Sequence, residues 1–261
     1  MTPTAANRAG TPRDDVLAGL PAAMQAAAEI DVVARLAAET PAIVSTMNPF
    51  LVYLAARDPA VADYTAVSDI VTCDSVIMAR AGRLAGLSLV TRTGADMVRK
   101  LLEREGVGPI VIVGPERAQV ARLESTNPLI GVECPYSIDL DALLEGALSE
   151  LDAALEVQGL SSTAPLYLVA LGPRKQEYIA NGLIRARGAQ RVICCGASID
   201  YLTGKERRAP RIFRRAGLEW LWRLLQNPAK KAKVSLIYSP KGLVAFLRAA
   251  ARHRRQGRGA A

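Results

Sequence analysis

The chain has 261 residues, enough for one large α/β domain or for a domain with an extension. Half of its residues are apolar, so a substantial core is available. The formal net charge of +8 is carried unevenly: positions 205–261 hold 16 Lys and Arg against two acids, a local +14, while the residues before them come to −6. This asymmetry points to an anionic partner for the C-terminal part, whether nucleic acid, an anionic membrane or a phosphate-bearing substrate. The four cysteines, Cys73, Cys134, Cys194 and Cys195, form no C-x-x-C pair and have no histidine neighbours. That argues against a zinc site, and Cys194 and Cys195 read as small buried hydrophobes in a reducing compartment. No run of about 18 apolar residues is present, so no transmembrane helix is expected. The polar stretch 1–13 lacks the apolar run of a secretory signal, so the protein is expected to stay in the cytoplasm.

In chain order, 1–13 has no hydrophobic period and reads as a disordered tail. A helix is expected over 24–38, stopped near Pro41. A buried strand follows at 42–46, a turn at 47–49 and a helix over 50–56. Next come a strand at 69–73 and a helix over 76–84, then a helix over 95–105 opened by Thr93-Gly94-Ala95-Asp96. The strand 109–113 ends at Gly114-Pro115, with a helix to about 123. A strand at 129–132, a long helix over 138–157 and an apolar strand at 166–171 ending in Gly172-Pro173 follow. A helix over 175–186 and a strand at 191–195 ending in Gly196-Ala197-Ser198 complete the repeat. Strand, turn and helix alternate, and several strands are apolar throughout, as strands covered on both faces must be. The pattern predicts a doubly wound, mostly parallel sheet. Its ligands would lie beyond the carboxyl ends of the strands, in one crevice lined by the turns at Thr46, Asp74, Gly114, Gly172 and Gly196. The domain is assigned to 14–204. Positions 205–250 read as a basic appendage with a helix over 218–225, a short apolar stretch at 234–238 and a helix over 242–251. Positions 251–261 read as a basic tail without fixed structure.

Several catalytic devices are excluded. There is no P-loop, no G-x-S-x-G and no G-x-G-x-x-G string, and the one histidine, His253, lies near the C-terminus. The one D-x-D string, Asp139-Leu140-Asp141, sits at a helix start, where acids favour the helix dipole. No metal centre is expected, so fixed cations must take its place. Asp74 ends an apolar strand and opens a turn, either as the N-cap of the next helix or as a general base. Thr46 and Asn48, in the preceding strand's turn, offer a hydroxyl and an amide to a substrate, or serve the turn itself. Gln176 and Glu177 open a helix at a strand end, where donors and acceptors can face a ligand.

These segments, taken together, resemble the WecG/TagA/CpsF glycosyltransferases. Gly172-Pro173-Arg174-Lys175-Gln176-Glu177 is similar to the family's G-x-P-K-Q-E segment. Gly196-Ala197-Ser198-Ile199-Asp200 with Gly204-Lys205 resembles G-x-x-F-D…G-K. The R-A-P…G-L-E-W-x-x-R-L…P block is matched by Arg208-Ala209-Pro210, Gly217 to Leu224 and Pro228. Thr46-Met47-Asn48-Pro49, Ser68-Asp69 with Asp74, and Thr93-Gly94-Ala95-Asp96 match further family positions.

The resemblance implies a Rossmann-like fold with a C-terminal appendage. It also implies an inverting, UDP-sugar-dependent hexosyltransferase of cell-surface polysaccharide synthesis, peripheral on the inner face of the cytoplasmic membrane. The sugar would be N-acetylmannosamine, its uronic acid or a glucose type, and the acceptor a saccharide on polyprenyl diphosphate. No cofactor or metal is implied beyond the donor. Asp74 would be the catalytic base, with Thr46 beside it. Asn48, Arg92, Gly94, Asp96, Gly114, Gly172, Gln176, Glu177, Asp200, Arg223, Lys230 and Lys233 would bind substrate, the arginines holding the diphosphate as bidentate partners. The chain departs from the pattern at Ser75, where the family has Gly, at Ile199, where it has Phe, and at Lys230, Lys231 and Lys233, where arginines are common. Leu236, Ile237, Leu243, Val244, Phe246 and Leu247 beside these cations are expected to meet an anionic membrane surface. A homo-oligomer is left open. The rival readings are an inactive nucleotide-binding scaffold and a nucleic-acid-binding protein, the latter lacking any helix-turn-helix, zinc-finger or RNP string.

Overall fold

The computed structural model describes residues 13–38, 40–134, 137–160 and 164–259. Its six strands are β1 (Ala42–Met47), β2 (Ile70–Cys73), β3 (Ile110–Gly114), β4 (Leu129–Glu133), β5 (Leu166–Val169) and β6 (Arg191–Cys194). All are parallel, in the order β2-β1-β6-β5-β3-β4. Val44 lies opposite Ile193, Tyr167 opposite Val192, and Ile112 between Leu168 and Gly131. Every residue of β1, β2, β5 and β6 is buried, as a parallel sheet with helices on both faces requires. The edge strand β4 alternates between buried and more exposed residues.

The N-terminal helices differ most from expectation. Residues 1–12 of the expected tail lie outside the described residues, but Arg13 already opens α1 (Arg13–Ala28), which continues through Pro21. The chain then breaks and restarts as α2 (Val32–Ala37), because the Asp31 carboxylate caps the new helix by accepting from Ala34 N. The single helix expected over 24–38 is therefore two. Asn48 caps α3 (Pro49–Ala55), and Asp58 caps a helix that the sequence reading missed, α4 (Pro59–Val67). Then come α5 (Val76–Leu84), α6 (Gly94–Glu103), a short α7 (Arg117–Val120), α8 (Leu140–Val157), α9 (Lys175–Arg187) and α10 (Ser198–Leu202). The C-terminal part forms α11 (Arg211–Ala216), α12 (Glu219–Gln226) and α13 (Pro228–Lys233). A π-turn (Val234–Tyr238) and α14 (Ser239–Gly259) continue α13 without a break. The expected tail is thus helical to Gly259; Ala260 and Ala261 lie outside the described residues.

The chain divides into two compact units. One comprises 31–45 and 94–207, and contains β3 to β6 with α2 and α6 to α10. Its lower edge is pinned by Arg191, only 4% exposed, which donates to Val107 O (2.9 Å), Leu36 O (3.4 Å) and Ala164 O (2.6 Å). One guanidinium thereby satisfies carbonyls from three segments at the start of β6.

The other unit comprises 1–30, 46–93 and 208–261. Residues 208–259 share a core with α1, α3 and α5. Phe246 and Ala250 of α14 lie in one cluster with Leu20, Met24, Met47, Val52, Met78 and Leu89. The approach is close enough that a Cβ at Gly242 would collide with the Pro49 carbonyl of α3. Arg80 of α5 caps α11 through Ala216 O (2.8 Å) and Arg215 O (2.7 Å).

Candidate functional site

In the unit that holds β2, Asp74 stands at the carboxyl end of that strand. Its N–H donates to Met47 O at 2.7 Å, which fixes it beside the end of β1 and Thr46. The two roles open to Asp74 are separated by its neighbour: Ser75 Oγ, not Asp74, caps α5 by accepting from Met78 N (3.3 Å). The departure from the family's glycine at Ser75 thus has a job in the fold. Thr46 is 5% exposed, so it supports the strand end from within. Asn48 Oδ1 accepts from Phe50 N (3.0 Å) and Leu51 N (3.1 Å); its carbonyl caps α3, and only its NH2 is suited to a ligand.

Thr91 extends β2 by a single bridge to Cys73, and Arg92 N donates to Cys73 O at 2.9 Å. The Arg92 guanidinium donates to Ala27 O (2.7 Å) and Ala28 O (3.1 Å), the last carbonyls of α1. Thr46, Asp74 and the Arg92 backbone therefore share one strand-end cluster, while the Arg92 side chain positions a helix. Two motif pieces also meet here: Arg208 Nη2 donates to Thr93 Oγ1 at 3.0 Å.

On α12, Arg223 pairs with Glu219 one turn away (3.3 Å), both part-exposed. A pair of this kind contributes less than about 1 kcal/mol, so an anionic ligand can compete for the guanidinium. Lys230 and Lys233 lie exposed on α13, and the Lys230 N–H is accepted by Asn227 Oδ1.

In the unit that holds β3 to β6, the predicted residues fall into three groups. Gly94 packs against Ser198 Oγ and Cys195 O, where a Cβ would come within 3.3 Å, and Asp96 pairs with Arg99 at 2.8 Å on the surface of α6. Both stand in the first turn of α6. Gly114 ends β3 at φ 122, where a Cβ would stand 2.8 Å from Ala170 O, so glycine is required there. Gly114, Glu116, Glu133, Cys134, Lys175 and Lys205 line a cleft of about 360 Å³ beyond the carboxyl ends of β3 and β4. A larger cleft of about 460 Å³ beside β4, between α7 and α8, holds none of the predicted residues. The smaller one has the position expected of a ligand site in an open α/β sheet.

The third group follows β5 and β6. Gly172 is exposed, whereas Gln176 and Glu177 are each 3% exposed. Glu177 accepts from Arg174 N (2.6 Å) and from Gln176 Nε2 (2.7 Å), and Gln176 Oε1 accepts from Gly196 N (2.9 Å). Glu177 therefore does not face a ligand as the sequence suggested; its carboxylate is held inside the protein. Asp200 is likewise engaged, accepting from Gln119 Nε2 at 2.8 Å. Gln119, 6% exposed, also donates to Thr203 Oγ1 (3.0 Å) and accepts from Lys205 Nζ (3.2 Å). No motif marked Gln119, because a lone glutamine on a short helix carries no spacing signal.

The D-x-D string serves the fold: Asp139 caps α8 through Asp141 N and Ala142 N, and Asp141 accepts the Tyr178 hydroxyl. Burial pushes the Cys73 and Cys195 thiols up to about 12 and the Cys134 thiol up to about 11, with carboxylates nearby adding to each. They remain protonated at neutral pH and are poor nucleophiles.

The order of motifs, the parallel sheet and the strand-end clusters agree with one known group of enzymes. The sequence profile described as "Glycosyl transferase WecG/TagA/CpsF family" matches residues 17–256, nearly the whole chain. The protein belongs to the WecG/TagA/CpsF family of glycosyltransferases.

Proposed function

We propose that this glycosyltransferase moves a hexose-type sugar from a UDP-sugar to a saccharide on polyprenyl diphosphate, with inversion at the anomeric carbon. The observation that carries the proposal is the placement of Asp74 at the end of β2, with the helix cap supplied by Ser75 instead. A carboxylate so placed, in a chain of this family, takes the acceptor hydroxyl's proton as the oxygen attacks C1 and UDP departs. The charge growing on the diphosphate is met by fixed cations, Arg223 with Lys230 and Lys233, in place of a metal. Gln176 and the turns after β5 and β6 serve the donor. The cationic face of α13 and α14, with Leu236, Ile237 and Val244 exposed at 59%, 44% and 47%, supports docking on an anionic inner membrane. Phe246 leaves the expected membrane set, being 1% exposed in the core. No helix among the described residues is long and apolar enough to cross a membrane.

The test is UDP release from a panel of UDP-sugars, with and without a polyprenyl-diphosphate-linked acceptor, in EDTA. Acceptor-dependent release from one donor is expected, lost in Asp74→Asn with UDP affinity within about threefold of the starting protein. Full turnover by Asp74→Asn removes the base, and loss of all release in EDTA removes the metal-independent route. Truncation after 204 is not a useful test of membrane docking, since it strips Phe246 and Ala250 from the core. Lys230→Ala with Lys233→Ala, assayed by co-sedimentation with anionic vesicles, leaves the core intact.

A further inference from the structure

We infer that Glu177 is a positioning residue that sets the turn after β6 through Gln176, and thereby the donor affinity; the donor part rests on the UDP-sugar reading above. Arg174 is the one non-glycine residue with positive φ among the described residues, at φ 74 and ψ −50, a strained conformation near the centre of a γ-turn. Glu177 holds it from the first turn of α9 by accepting from its N–H at 2.6 Å. The other carboxylate oxygen accepts from Gln176 Nε2 at 2.7 Å, which orients the amide so that its Oε1 accepts from Gly196 N at 2.9 Å. Gly196 sits at φ 55 in the turn after β6. The chain of bonds runs from the turn after β5, through two buried side chains, to the turn after the neighbouring parallel strand. Those two turns lie at the sheet edge where ligands of open α/β sheets bind.

The donor and acceptor order is what makes this relay directional. A glutamine in place of Glu177 has one oxygen and one NH2. Turned either way, it presents NH2 to Arg174 N–H or to Gln176 Nε2. Gln176 can flip to relieve the second clash, but its NH2 then faces Gly196 N–H. A near-isosteric change at 177 is therefore felt at 196, with which it has no direct bond. The reciprocal exchange of the two side chains restores each of these three bonds. The amide now at 177 accepts from Arg174 N–H and donates to the carboxylate now at 176, whose other oxygen accepts from Gly196 N–H.

The experiment compares the full-length protein, Glu177→Gln, and the double variant Gln176→Glu with Glu177→Gln, by amide exchange at Gly196 and by UDP titration well below the melting temperature. Glu177→Gln is expected to speed exchange at Gly196 and weaken UDP binding, each about tenfold, the effect of stranding one buried donor. The double variant is expected to recover Gly196 protection. Unchanged exchange at Gly196 in Glu177→Gln, or no recovery in the double variant, overturns the relay. Faster exchange with unchanged UDP affinity reduces Glu177 to a structural residue and overturns its positioning role. A starting protein that binds no UDP overturns the donor assignment instead, and the exchange data still decide the relay.

Discussion

Gly242→Ala and Gly146→Ala should change stability in opposite directions, although both place alanine in a helix. At Gly146 of α8 nothing lies within 4 Å of the added Cβ, so helix propensity decides, and a gain of about 0.5–1 kcal/mol is expected. At Gly242 the Cβ would meet the Pro49 carbonyl at bonding range and Tyr53 N at 2.9 Å, backbone atoms that no rotamer change can move. Relief requires α14 to part from α3 by more than about 1 Å. A gap of that size forfeits about half or more of the dispersion energy of the facing atoms. Those atoms include Phe246, 1% exposed, and Ala250, fully buried. Overpacking of this kind costs about 1–3 kcal/mol, and the strictly backbone collision puts it at the upper end. Subtracting the propensity gain leaves a net loss of about 2 kcal/mol, or about 4–8 °C in melting temperature for a chain of this size. Thermal and urea unfolding, followed by far-UV circular dichroism, measure both variants. If Gly242→Ala melts at or above the parent temperature, the tight α14 crossing is refuted, and with it the integration of the C-terminal residues into this unit.

Other outcomes follow from single sites. Ser75→Ala should lower stability by about 1 kcal/mol through the lost α5 cap while retaining turnover, the reverse of Asp74→Asn; loss of turnover in Ser75→Ala would blur that division. Arg191→Met should cost about 3 kcal/mol or more, since it strands buried carbonyls of Leu36, Val107 and Ala164, and urea midpoints within error of the parent would refute this. The Cys73 and Cys195 thiols, raised to about 12 against an ordinary value near 9, ionise in the unfolded chain before they do in the folded one. Their contribution to stability is therefore intact below pH 9 and is lost as pH rises from 9 towards 12. At pH 8, alkylation of both should require unfolding; rapid labelling of the native protein would contradict their burial.

The sheet and most of its motifs were legible before any coordinates. Runs such as Ile110-Val111-Ile112-Val113 can only be strands covered on both faces, and the turns that end them must lie at one edge. The family's strings at 172–177, 196–205 and 208–228 were visible for a similar reason: they are contiguous, short-range spacing shows in one dimension, and all three lie within the matched residues 17–256. Boundaries set by capping were less legible. The break at Asp31 and the helix opened by Asp58 depend on a side chain reaching a backbone N–H, and an Ala-rich stretch gives no period to announce it. The roles of individual side chains emerged only from their folded neighbourhoods. Ser75 rather than Asp74 takes the α5 cap, Asn48 and Arg92 turn to helix ends, and Glu177 points into the protein rather than out of it. The sequence ends the C-terminal helix near 251 and sets Phe246 on a membrane face because charge dominates the composition there, yet that buried phenylalanine and a glycine crossing fix the helix to α3. Burial and hydrogen-bond direction depend on neighbours distant in the chain, and those exist only once the chain has folded.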